Sequence, residues 1–174
     1  MTEYLIPLFI IITILVLGFY TAVLVRYFLN RISISEKRQL ISQFSSEVIR
    51  LKFQAFERFT LLLERLSPES LVIREQNPKM NCLSFHSHLL KVIRTEFNHN
   101  IAMQIYISAE TYEKIKTARE KLLMLINSSV VRVKPEIPAL ELGRVIIEDA
   151  TKEVNLYFKV AINAIRTEME ELKL

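Results

Sequence analysis

At 174 residues, with one cysteine and two glycines, the chain has material for one ordinary core but none for a disulfide framework, a cysteine-based zinc site or a glycine-rich phosphate loop. Its 23 basic and 19 acidic residues leave a net charge of +4, and much of the excess falls in one short group near the N-terminus, so the sequence pI of about 9.2 does not argue for nucleic acid. Scarce glycine beside abundant Leu, Ile, Glu, Lys and Arg favours long helices over a sheet with tight turns.

Leu5 to Val25 is an uninterrupted apolar run without a charge, long enough as a helix to cover roughly 31 Å, about the thickness of a bilayer's hydrocarbon core. A cleaved signal peptide needs a basic n-region and a small-residue cleavage site, and neither is present, so the run reads as a retained transmembrane anchor. Arg26, Arg31, Lys37 and Arg38 follow it and no Lys or Arg precedes it, which places the remainder in the cytoplasm. The domain division expected is residues 1–30 as anchor and basic flank and residues 31–174 as a cytoplasmic helical domain. Those four basic residues would face anionic lipid headgroups. Gly18 and Ala22 form a small-xxx-small pair through which two anchors can pack.

Beyond the anchor, Ser35 caps a helix whose apolar residues Ile41, Phe44, Val48, Leu51, Ala55, Phe59, Leu62 and Leu66 recur in steps of three and four. Ser67-Pro68 ends it, and a short helix from Pro68 to Glu75 runs into a second breaker, Asn77-Pro78. A second long helix is predicted from Asn81 to Gln104, with Phe85, Leu89, Val92, Ile93, Phe97 and Ile101 inward. Ser108 caps a third, on Tyr112, Ile115, Ala118, Leu122 and Ile126, and Ser128 to Pro138 reads as a loop. A last helix is predicted from Ala139 to Leu172. The fold class expected is therefore all-α: an N-terminal transmembrane helix followed by an up-down-up-down cytoplasmic four-helix bundle, its long first and last helices paired antiparallel.

Chemistry is sparse. Glu96 and His99, three apart, have the spacing of a helical metal-binding pair, but a di-iron bundle needs two such pairs and neither His86 nor His88 supplies the second. Cys82 lies at a helix start with no base fixed beside it and reads as a small capping or core residue. No catalytic residue, cofactor, metal or small-molecule substrate is expected.

The segment Glu96-Phe-Asn-His-Asn-Ile-Ala-Met-Gln-Ile-Tyr-Ile-Ser108, with Phe59-Thr-Leu-Leu-Leu-Glu-Arg65 upstream, resembles a family of uncharacterised membrane-anchored helical proteins from Bacteroidota-type bacteria. The resemblance implies a single-pass anchor in a bacterial inner membrane and no activity. Its matching positions, Glu96, His99, Asn100, Gln104 and Tyr106, are expected to form a polar network or an interaction surface. The function expected is a non-enzymatic scaffold or interaction subunit, assembling with itself or with other membrane protein subunits and contacting the lipid bilayer but not nucleic acid. Phe44, Phe53, Phe56 and Phe59 on one helix are more aromatic surface than a single stripe needs. The alternative is a metal-dependent helical-bundle enzyme using Glu96 and His99.

Overall fold

The computed structural model describes the backbone of residues 5–134, 136–151 and 153–172, and of these the side chains outside 5–12 and 29–41. Among the described residues there are six α-helices: α1 (Leu5–Leu66), α2 (Pro68–Glu75), α3 (Cys82–Asn100), α4 (Ala109–Val131), α5 (Ala139–Ala150) and α6 (Val154–Glu171). A 3₁₀ segment, Ile101–Tyr106, follows α3. The all-α class stands, and the chain divides into two compact units, Met1–Val48 and Ile49–Leu174.

In the first unit, the described side chains of the apolar run are exposed along α1, among them Gly18 and Ala22, and nothing lies within 4 Å of a β-carbon built on Gly18. The transmembrane expectation is corrected here: among the described residues, no helix is long and apolar enough to cross a membrane. The run is not a separate spanning element but the start of a 62-residue helix. The single-pass inner-membrane location, with its cytoplasmic domain, falls with it. Arg26 is exposed, and the side chains of Arg31, Lys37 and Arg38 lie outside the described residues.

The second unit holds the core. The last turns of α1 bury Ala55, Phe59, Leu62 and Leu66 of the predicted stripe, together with Phe56 and Leu63 beside it. The Phe59 ring meets Tyr112 of α4 edge-on at 6.0 Å, and Tyr112 in turn lies 6.4 Å from Phe97 of α3. One aromatic column thus joins three helices, an arrangement that gains about 0.5–1.5 kcal/mol per ring pair beyond simple burial. Phe85, Leu89, Ile93 and Phe97 of α3 and Ile115, Ala118, Leu122 and Ile126 of α4 are buried at the predicted spacing.

Turn chemistry fixes the element boundaries. Pro68 opens α2, where its missing N–H costs nothing, and Ser67 Oγ donates to Glu64 O at the end of α1. Asn81 Oδ1 accepts from Ser84 N at 2.8 Å and caps α3. The strands of chain leading into α3 and α5 pair with each other, Cys82 N donating to Ile137 O and Ala139 N to Met80 O, and Cys82 Sγ is buried against Pro138 O at 3.5 Å. Gly143 of α5 permits a close approach to α2: a β-carbon there would stand 2.9 Å from Val72 Cγ1.

The four-helix topology is also corrected. The predicted last helix breaks after Ala150 and restarts at Val154, and α6 has α4 as its main neighbour, while α5 packs against α2, α3 and α4. Thr151 Oγ1 bonds back to Glu148 O at 2.7 Å, a local bond that competes with the helical ladder. Lys121 and Tyr157 both bind Glu153 Oε1, at 3.0 and 2.9 Å, and hold the restart in place. The break lets two short helices serve two sets of neighbours, which one straight rod cannot do.

Phe59→Ala is expected to lower the unfolding free energy by about 3–5 kcal/mol, whereas Phe44→Ala, at a side chain 77% exposed, should change it by no more than about 0.5 kcal/mol. Denaturant titration of the two variants checks the contrast.

Candidate functional site

The polar side chains nearest to a constellation gather where α1, α2 and α3 meet. Arg65, in the last turn of α1, forks onto Glu96 of α3, with Nε 3.1 Å from Oε1 and one Nη closer still. Arg74 of α2 donates from Nη1 to the Arg65 carbonyl at 2.8 Å, satisfying one of the acceptors that a helix end leaves open, and its Nε binds Glu75 at 2.8 Å. Glu75 also meets His88 Nε2 at 2.8 Å. Asn100 Nδ2 donates to Glu96 O at 2.9 Å and secures the end of α3.

Two charge effects follow. Burial raises the Glu75 carboxyl, but hydrogen bonds from Arg74 and His88, reinforced by their charges, outweigh it and hold the group below its ordinary value. The hydrogen bond to Glu96, and then the Glu96 charge, raise Arg65 further above its usual range.

Of the five positions expected to form a polar network, the structure joins two: Glu96 and Asn100 are linked through the Glu96 carbonyl. His99 and Gln104 are exposed, and Tyr106 is half-buried against the core. Arg65, Arg74, Glu75 and His88 were not anticipated as members. Arg65 and Glu96 lie 31 residues apart and Glu75 and His88 lie 13 apart, and no local spacing rule reaches across such distances. Among the described residues, no three His, Cys, Asp or Glu side chains gather to hold a metal ion. Glu96, one half of the metal pair considered, has its carboxylate directed to Arg65.

A second tie joins α4 to α6. Glu168 accepts from Ser108 N at 2.7 Å and from the Ser108 hydroxyl at 2.8 Å, placing a carboxylate at the positive end of α4. An apolar concavity lies between α1 and α6, a groove of about 650 Å³ floored by Phe53, Phe56, Ile162, Ile165 and Met169 and edged by Glu57, Glu64 and Arg166.

Residues 2–172 match one family along nearly their whole length. The chain belongs to the family of unknown function DUF7935. No curated protein and no solved structure matches it. Membership in DUF7935 agrees with the expectation of an uncharacterised family and carries neither a ligand nor a reaction to these residues.

The depressed Glu75 carboxyl makes the corner sensitive to acid. A carboxylate held below its unfolded value stabilises the fold above that value and ceases to do so as pH falls through the folded one. Glu75→Gln is therefore expected to lower the urea midpoint at pH 7, with the gap from the parent closing as pH is taken below about 4. A gap that stays constant across the titration would contradict this assignment.

Proposed function

We propose that this DUF7935 protein is a non-enzymatic helical interaction subunit, assembling with a second copy or with another protein through the groove between α1 and α6. The observation that carries the reading is the groove itself: apolar along its floor, where Phe53 is 39% exposed, with Leu61 at its edge 57% exposed. Contiguous apolar surface of this kind, rimmed by charges, is characteristic of recognition sites, and a groove between two helices suits the apolar face of a third. Glu57 and Glu64 line the α1 edge and Arg166 the α6 edge, so a complementary helix carries Lys or Arg toward α1 and an acidic residue toward α6. The likeness of the Glu96–Ser108 segment to proteins of Bacteroidota-type bacteria supports a bacterial source.

Leu61→Glu puts a charge on the groove edge without entering the core, so its effect on unfolding should stay within about 0.5 kcal/mol. The parent chain is expected to sediment as an oligomer or to co-purify with a stoichiometric partner, and the variant to lose that association. A parent that is monomeric and purifies alone, or a variant that associates as well as the parent, would overturn the proposal.

A further inference from the structure

On the other side of α3, a cleft of about 370 Å³ separates it from α4 and does not overlap the groove just described. Arg94 and Asn98 of α3 and Arg119 and Asn127 of α4 line it, over a floor of Phe97 and aliphatic side chains, and no acidic residue is among the lining. We propose that this cleft binds a small organic carboxylate with an apolar body.

The two guanidinium groups make the case. Arg119 lies over the Phe97 ring, its central carbon 4.2 Å from the centroid, a cation–π contact that holds the guanidinium beside the cleft. Its Nε is buried and has no hydrogen-bond partner, and the Glu120 carboxylate approaches Nη2 only to 3.8 Å, outside hydrogen-bond range. A guanidinium cannot shed its charge, so one that lines a cleft is a lasting donor that an incoming oxyanion can engage. Arg94 is exposed at the cleft and forms no ion pair with a carboxylate among the described residues. Two guanidinium groups lining one concavity, neither hydrogen-bonded to a carboxylate, are an arrangement that can receive a planar carboxylate.

The remaining polar groups agree in sign. Asn127 Oδ1 lies 2.9 Å from His86 Nε2, so the imidazole donates and the Asn127 amide N–H groups stay available for an acceptor. The volume is that of a small-ligand pocket, and the half-buried Leu90 and Leu123 in its wall offer a short carbon chain an apolar contact that a fully hydrated anion does not use. This site is independent of the assembly groove, and either can fail without the other.

The test is calorimetric titration of the full-length chain, at constant ionic strength, with hexanoate, with hexanamide as its uncharged counterpart and with inorganic phosphate. Hexanoate is expected to saturate at one site per chain, with hexanamide and phosphate weaker by about tenfold or more, and Arg94→Ala and Arg119→Lys each weakening hexanoate by about tenfold. Arg94→Ala leaves the core untouched, and an unchanged melting curve separates loss of the site from loss of the fold. Absence of saturable hexanoate binding, equal binding of hexanamide or phosphate, or full affinity in both arginine variants would overturn the proposal.

Discussion

The second unit depends on one face of α1. Phe56, Phe59, Leu62, Leu63 and Leu66 are removed from water together with Ala55, and each large side chain so buried contributes about 1.5–3 kcal/mol against the cost of ordering the chain. Tyr112 receives Phe59 on one side and Phe97 on the other, so α1, α3 and α4 are positioned by contacts to the same ring. Without that face, α3, α4 and α6 would expose the apolar surfaces they now present to a shared core.

Polar ties then set which helix ends meet. Arg65 to Glu96 fixes the end of α1 on α3, and Arg74 covers the carbonyl that the end of α1 leaves open. Glu168 does the corresponding service for the first turn of α4, and Arg132, which caps the last, pairs with Asp149 of α5. These pairs are partly exposed, so their worth lies in specifying register more than in adding stability. The groove between α1 and α6 is what this arrangement leaves over: Glu168 is committed to α4, while Ile162, Ile165 and Met169 line the floor beside Phe53 and Phe56.

Most local signals in the sequence read true, although Ser35, expected as a helix cap, lies inside the uninterrupted α1; long-range signals do not. Ser67-Pro68 and Asn77-Pro78 frame α2, and Asn81 and Ser108 cap α3 and α4, because caps and breakers act within a few residues. Break points without such punctuation are silent. Ala150 and Val154 are both buried and four residues apart, so the helical period runs straight through the break between α5 and α6. α3 ends at Asn100, short of the expected Gln104, for a similar reason: Ile101 continues the apolar spacing, yet the backbone from Ile101 to Tyr106 tightens into a 3₁₀ turn. Composition alone also made the apolar run near the N-terminus look like an independent element, whereas its backbone continues without interruption into the helix that carries the Phe59 face. Within the aromatic cluster, Phe56 and Phe59 belong to the core and Phe44 and Phe53 do not, a division set by neighbours distant in sequence. For the same reason the Glu96–Arg65 fork and the two-arginine cleft depend on tertiary contacts and leave no motif.

Native-state hydrogen exchange tests the central role of the α1 face most directly. If that face organises the unit, backbone amides between Ala55 and Leu66 exchange only with global unfolding, in step with those of α4 and α6. Rapid exchange of that segment while α4 and α6 remain protected would show that the other helices hold together without it, and would contradict the account.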